Sequence, residues 1–414
     1  MGYQTKDFAS RLLACRPLTL EETSLARNPA HVVGIDAVRF LAAVLVMFFH
    51  YGFWVGFKTS TSAHHISQGL VSYPELFEWT KFGWIGVQVF FVISGFVIAY
   101  SAEKATAYRF LIARVVRLFP AAIICATISL IAGLLVHYTS YPELFIAYAK
   151  SVTLWPQGPW IDDSYWTLAI ELFFYALVFV LISFDKFHLI ARLAIAIGLI
   201  SVGFNIVALL GQSPLSAMVP PLLVKIQDSR VADLLLLNHG MFFALGVFLW
   251  LQLLKKPGPQ HVLWCCLFTV AGCVQIAVTV GSFDAKGADM PLLLPIIIWL
   301  LALVVIVFSV VLNHLFLEAP EWVSTTLRRM GLMTYPLYLL HQNVGLALIG
   351  QITKMGTHPY LALGVGIAFA LSASWAISVY LEPHVQKAMK CVLLNLGERV
   401  SPGAGSVGKT TGVG

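Results

Sequence analysis

Long runs of apolar residues alternate with short polar segments along most of the chain. A hydrocarbon core about 30 Å thick needs about 20 apolar residues in a helix, and ten runs come close to or reach that length. The pattern therefore predicts an all-α, polytopic membrane protein, a bundle of about ten transmembrane helices. The predicted spans are residues 35–57, 82–101, 118–137, 165–184, 189–210, 237–254, 262–281, 291–312, 333–352 and 360–381.

The ends of the chain differ from this pattern. We expect a cytoplasmic N-terminal segment at residues 1–33, a transmembrane domain at 34–390 and a cytoplasmic, mostly disordered tail at 391–414. Residues 401–414 of this tail are rich in Gly and Ser. Residues 403–410 match the pattern of a phosphate-binding loop. We reject that match because no strand precedes it and too few residues follow it to build a helix.

Composition and charge agree with a membrane protein. The 414 residues are 59% hydrophobic and 11% charged, whereas charged residues make up about a quarter of a soluble domain. Of the 26 Lys and Arg residues, 18 fall on one side of the predicted spans and 7 on the other, which places the richer side and both termini in the cytoplasm. The basic residues form no single patch, so no nucleic-acid partner is expected. The six cysteines lack zinc-type spacing, so no metal is predicted.

Three ionisable side chains interrupt the first span, namely Asp36, Arg39 and His50. Such groups are costly at membrane depth and are tolerated mainly where they face a protein interior or a water-filled cavity. The eleven positions from Arg39 to His50 amount to about 1100°, roughly 20° beyond whole turns, so both lie on one stripe about 16 Å apart. We expect this stripe to line a polar passage.

A carboxylate in the fourth span lies at a similar predicted depth to His50. Glu171 and His50 are each about seven residues from the outer surface, so the two side chains can meet. Imidazole takes a proton from a hydroxyl near neutral pH, and a neighbouring carboxylate would fix its tautomer. The sequence thus predicts His50 and Glu171 as a catalytic pair; the alternative is a pair that only holds two helices together.

Two arginines precede the third span at a spacing of one helical turn. Arg114 and Arg117 can therefore face one anion, and phosphate suits their bidentate donors. The alternative is an ordinary cytoplasmic anchor. Near the middle of the ninth predicted span, Tyr335, Tyr338 and His341 share a loose helical face, and the role of His341 stays open.

These residues resemble the acyltransferase-3 family of integral membrane acyltransferases over residues 33–390. Each motif alone is weak, but their order along the chain is specific. The motifs are Arg39-x10-His50, the Phe90–Phe96 block, Arg114-x-x-Arg117 followed by Pro120, Trp166-Thr167-Leu168-x-x-Glu171-x-x-Phe174-Tyr175, the Tyr338–His341 block and Glu382-Pro383. The family typically has Ser at the position of Thr167, which keeps the hydroxyl.

The resemblance implies an O-acyltransferase, an O-acetyltransferase in particular, of the bacterial inner membrane. It would move an acyl group from cytoplasmic acyl-CoA to a sugar hydroxyl of a surface or lipid-linked glycan. His50 would be the general base or a transient acyl carrier and Glu171 would orient it. Donor phosphates would bind Arg39, Arg114 and Arg117, and the expected substrate contacts are Trp166, Tyr338 and His341.

Two other functions stay open from the residues alone. A secondary transporter or flippase can also bury Asp36, Arg39, His50 and Glu171, although the chain lacks the internal repeat of many transporters. An acyl-carrying subunit that needs a partner protein would share every motif given above.

Overall fold

The structure is a computed structural model that describes residues 32–227 and 229–400. Two parts of the chain lie outside the described residues: residues 1–31 of the predicted N-terminal segment and residues 401–414 of the predicted tail. The match to a phosphate-binding loop at 403–410 falls in the second part. The first part of that tail, 391–400, continues a helix.

The described ranges are helical and contain no strand. Thirteen main helices are numbered here in chain order. They are α1 Val33–Phe48, α2 Ile85–Ala102, α3 Ala107–Val136, α4 Tyr141–Val152, α5 Trp166–Ser183, α6 Ile190–Gly211, α7 Gly240–Trp250, α8 Pro259–Asp284, α9 Leu293–Val311, α10 Glu321–Leu340, α11 Leu346–Lys354, α12 Pro359–Ala376 and α13 Glu382–Val400.

Eight helical segments among the described residues are long and apolar enough to cross a membrane, namely those containing α1, α2, α3, α5, α6, α8, α9 and α12. The prediction of an all-α, multi-pass membrane protein is confirmed. The other two predicted spans are also helical. The run 237–254 corresponds to the shorter segment Gly240–Lys255, and the run 333–352 covers the end of α10 and most of α11.

Helix α7 is buried on every side, since all eleven of its residues are buried. A helix that is apolar all round belongs in the interior of a bundle. Glycines let it approach α2 closely, since a Cβ on Gly246 would lie 2.0 Å from the Val92 carbonyl oxygen, and one on Gly95 would lie 2.2 Å from that of Phe243. Small residues at such crossings are the usual means of packing helices in membranes.

Helical hydrogen bonding widens to the π pattern in four segments of the described chain. These are Phe49–Trp54 after α1, Leu251–Lys255 after α7, His341–Gly345 between α10 and α11, and Ile377–Leu381 between α12 and α13. Such π segments occur often at functional sites. Two of the four contain the predicted site residues His50 and His341.

The neighbours of α1 determine what its ionisable stripe faces. Helix α1 packs against α2 and α10, whereas α5 packs against α2 and α3. The short helix Ser62–Ile66, on the predicted outer side, packs against both the Phe49–Trp54 and the His341–Gly345 segments.

Candidate active site

His50 and His341 form a hydrogen-bonded pair between two helices. The Nδ1 atom of His50 lies 2.8 Å from the Nε2 atom of His341, and the ring centroids are 4.9 Å apart. His341 is fully buried, whereas the side chain of His50 keeps part of its surface accessible. His50 is therefore the less buried member of the pair.

The hydrogen-bond partners assign the tautomers of both rings. The Nδ1 atom of His341 lies 3.0 Å from the Leu337 carbonyl oxygen, which can only accept, so this nitrogen carries a proton. In the neutral ring Nε2 of His341 is then an acceptor, and His50 donates to it from Nδ1. A neutral His50 consequently has its lone pair on Nε2, the form that a general base requires.

The π segment that begins at His341 is fastened to the one that contains His50. The hydroxyl of Tyr51 donates to the His341 carbonyl oxygen at 2.7 Å, and Tyr51 is completely buried. A Cβ at Gly345 would lie 1.8 Å from this hydroxyl, so only glycine leaves it room. The histidine pair is thus held by main-chain geometry as well as by its own hydrogen bond.

Glu171 lies in a different set of contacts. It accepts a hydrogen bond from the Ser94 hydroxyl of α2, interacts with the Tyr175 hydroxyl one turn further along α5, and is within electrostatic range of Arg39. These contacts hold the carboxylate between α2, α5 and α1.

The contact expected between His50 and Glu171 is replaced by the contact between His50 and His341. The reason is the arrangement of the helices, since α1 has α10 and α2 as neighbours, and α5 lies beyond α2. Counting residues from the predicted outer surface gave both side chains a similar depth. It could not show which helices are neighbours in the bundle. The functional roles of both residues stay predictions.

A cavity of about 50 Å³ connects the surroundings of Glu171 with those of Tyr338. Its polar lining includes Arg39, Ser94, Thr167, Glu171, Thr334 and Tyr338. Each water needs about 10–15 Å³ by this measure, so the cavity has room for a few waters or for the end of an acyl chain. Neither histidine lines the cavity, but the ring of the lining residue Tyr338 lies 6.1 Å from that of His341.

Arg39 lines the cavity and lies near the predicted cytoplasmic end of α1. It interacts electrostatically with Asp36 on its own helix, with Glu171 and with Arg117 of α3. Asp36 is buried against Gly331 of α10, where a Cβ would lie 2.4 Å from the Asp36 carboxyl group. The polar stripe of α1 therefore faces the bundle interior.

The arginines of α3 flank the same region. The guanidinium of Arg117 lies 3.8 Å from Glu382 and 5.8 Å from the centre of the Tyr335 ring. That of Arg114 lies 5.8 Å from the Tyr175 ring, and its buried Nε atom has no hydrogen-bond partner among the described residues. Of these three arginines Arg39 lines the cavity itself, and Arg117 lies against the lining residue Tyr335. We call Arg39, Arg114 and Arg117 the arginine cluster.

The predicted substrate residues occupy two environments. Tyr338 lines the cavity, and its hydroxyl lies 3.2 Å from that of Thr167. Trp166 does not line the cavity. Its ring lies against Phe91 and His239, and its carbonyl oxygen accepts a hydrogen bond from Arg230 at 2.6 Å.

Several polar residues that complete this region were not predicted from the sequence. Ser94 is the single hydroxyl of the Phe90–Phe96 block and binds Glu171. Beyond the histidine pair, Asp162 accepts hydrogen bonds from the backbone nitrogens of Ser164 and Asn343 at 2.8 and 2.9 Å. The polar pair after His341, Gln342-Asn343, inside an otherwise apolar run was the signal that could have indicated this second polar region.

The bundle of apolar helices thus holds a hydrogen-bonded histidine pair, a nearby cavity and the arginine cluster, features that suit a membrane enzyme. A family model described as an acyltransferase domain matches residues 32–379, so the chain belongs to the acyltransferase-3 family and is a multi-pass membrane acyltransferase. No curated protein and no solved structure matches the chain at a significant level.

Proposed function

We propose that the protein is an O-acetyltransferase of the bacterial inner membrane that moves an acyl group from cytoplasmic acyl-CoA to a sugar hydroxyl of an exported glycan. The observation that carries the proposal is the hydrogen-bonded pair of His50 and His341, which leaves Nε2 of a partly exposed His50 unprotonated. Tyr338, whose ring lies 6.1 Å from that of His341, lines a cavity that Arg39 also lines.

The arginine cluster is the proposed donor site. The 3′-phosphate and diphosphate of coenzyme A require cationic partners, and guanidinium groups bind phosphate with two parallel hydrogen bonds. Along a regular helix Arg39 and His50 are about 16 Å apart. An extended pantetheine arm spans roughly this distance, so the thioester reaches His50 while the phosphates stay near the cytoplasm.

His50 is the proposed general base. Its Nε2 atom takes the proton of the sugar hydroxyl as the hydroxyl oxygen attacks the thioester carbonyl carbon. The tetrahedral intermediate then collapses, the carbon–sulfur bond breaks, and the coenzyme A thiolate takes the proton from the imidazolium. The products are the acyl ester and free coenzyme A, and His50 returns to its neutral form.

His341 and Glu171 have supporting roles in this mechanism. His341 accepts from Nδ1 of His50 and so keeps the basic lone pair on Nε2. Glu171 opposes the charge of Arg39 and fixes Ser94 at the cavity wall, which supports a role in positioning the donor.

Transfer by membrane vesicles tests the proposal. Right-side-out vesicles containing the protein are loaded with acetyl-CoA labelled in its acetyl group, and labelled ester is measured on glycan added outside. We expect His50→Ala to lose at least about 100-fold in rate, because general-base catalysis contributes about 10²–10⁴-fold. The control is His188→Ala, an exposed histidine outside the site.

The outcomes separate the proposed enzyme from a transporter. If His50→Ala acylates glycan at the wild-type rate and at equal abundance, the proposed base is wrong. Wild-type vesicles that translocate glycan but transfer no label would favour the flippase alternative instead.

A further inference from the structure

A second polar site lies on the predicted outer side of the histidine pair. It consists of Ser62, Asp163 and Gln342, which we call the outer polar cluster. The Gln342 amide donates to the Ser62 hydroxyl at 3.1 Å and to Oδ2 of Asp163 at 3.2 Å. The Ser62 hydroxyl in turn donates to the same Asp163 oxygen. Three separate parts of the chain therefore meet at one carboxylate.

The cluster is open at one end and closed at the other. Asp163 is exposed and Ser62 partly exposed, whereas Gln342 is completely buried. The Oε1 atom of Gln342 is buried and accepts no hydrogen bond from the described residues. A buried amide oxygen without a partner is unfavourable, so a donor is expected to meet it.

The remaining hydrogen-bonding capacity of the cluster is that of an acceptor. Both amide hydrogens of Gln342 and the hydroxyl hydrogen of Ser62 are already used inside the cluster. What is left is the amide oxygen of Gln342 and the remaining lone pairs of the Asp163 carboxylate. Such a surface binds hydroxyl groups, which donate, and repels phosphate and other anions.

The cluster also adjoins the proposed base. Gln342 directly follows His341, so their Cα atoms are about 3.8 Å apart. The short helix Ser62–Ile66, which begins at Ser62, packs against both π segments that carry the histidines. A molecule bound by Gln342 and Asp163 is therefore a neighbour of the histidine pair, on the side opposite the arginine cluster.

We propose that the outer polar cluster is the acceptor subsite, in which Asp163 and Gln342 accept hydrogen bonds from neighbouring hydroxyls of a sugar ring. The inference rests on the proposed function, because it names the residues that would hold the glycan. Donor and acceptor then enter from opposite sides, anions at the arginine cluster and polyhydroxylated substrate at the outer polar cluster.

Two variants test this assignment in the loaded vesicles. Gln342→Leu removes the unpartnered oxygen with little change of volume, and Asp163→Asn alters an exposed carboxylate with little risk to folding. The probe is glycan extracted from cells that lack the protein, added outside at increasing concentration. We expect KM for this glycan to rise about ten-fold or more in both variants, while KM for acetyl-CoA stays within two-fold.

A matched control is Glu143→Gln, which neutralises an exposed carboxylate of α4 on the same predicted side. It should leave both KM values unchanged. Unchanged glycan KM in Gln342→Leu and Asp163→Asn would overturn the subsite and leave the proposed function standing. If Gln342→Leu does not accumulate in the membrane, Asp163→Asn alone decides. Wild-type vesicles that transfer no label to glycan would refute the proposed function itself.

Discussion

The Nδ1 atom of His50 lies 2.8 Å from the Nε2 atom of His341, and the other nitrogen of His341 is committed to a main-chain carbonyl oxygen. This chain of hydrogen bonds has one direction, from His50 through His341 to Leu337. It leaves only Nε2 of His50 available to accept a proton. A neutral residue thus occupies the hydrogen-bonding position in which a carboxylate was expected.

We predict that His341→Leu lowers kcat at least about ten-fold because the His50 ring loses the acceptor that selects its tautomer. His341→Gln should retain more activity, since the amide oxygen can accept from Nδ1 of His50. The measurement is steady-state transfer with both substrates varied. A purely structural role would lower the membrane level of both variants; equal kcat values for Leu and Gln at normal abundance would contradict the orienting role.

Apolar run length was enough to predict the bundle. Each of the ten predicted spans coincides with helix, because a stretch of about 20 apolar residues has no other way to satisfy its backbone in lipid. The short helix Ser62–Ile66 and α4 were not predicted, since they lie in loops without a long apolar run. The segment Gly240–Lys255 shows that an apolar run does not by itself indicate contact with lipid. Residues 240–250 are apolar because they are buried inside the protein.

The roles of the site residues stay predictions, and the contacts of His50 differ from the expected ones. Regular helix geometry gave the depths of His50 and Glu171, yet lateral neighbours depend on packing between α1, α2 and α10. The π segment that starts at Phe49 also changes the helical register just before His50. The regular α-helical period of 100° per residue does not include this shift in register. The partner of His50 could therefore not be predicted from the sequence.

The arginine cluster leads to a prediction about the donor. Arg114→Ala and Arg117→Ala should each raise KM for acyl-CoA about ten-fold, the effect of losing roughly 1.4 kcal/mol of phosphate binding. Arg109→Ala, on the same helix and exposed, is the matched control. KM is measured from initial rates at increasing acyl-CoA concentration. If both cluster variants keep the wild-type KM, Arg114 and Arg117 have a structural role only.

Close packing at Gly345 leads to a prediction with an internal control. In Gly345→Ala the new methyl group collides with the Tyr51 hydroxyl, so the protein should lose about 1–3 kcal/mol of stability and much of its activity. Adding Tyr51→Phe removes the colliding oxygen. Thermal unfolding in detergent should therefore show the double variant to be more stable than Gly345→Ala alone; simple additivity of the two changes would contradict the proposed contact.

Asp162 makes the stability of the outer region depend on pH. Burial raises the pKa of its carboxyl from 3.8 to about 7, against hydrogen bonds from Asn343 and Ser164 that lower it. Between pH 4 and 7 the folded protein therefore binds more protons at this group than the unfolded chain does. The free energy of unfolding consequently falls as the pH rises through this range.

The pKa shift of Asp162 sets the expected change in the free energy of unfolding, which is about 4 kcal/mol at most between pH 4 and 7. Asp162→Asn cannot ionise, so its stability should change much less between pH 4 and 7 than that of the wild-type protein. Glu143→Gln should keep the fall in stability, because a lowered pKa at this exposed carboxyl makes stability rise with pH and so cannot cause the fall. Thermal unfolding at several pH values makes the comparison. A wild-type slope preserved in Asp162→Asn would show that another group is responsible.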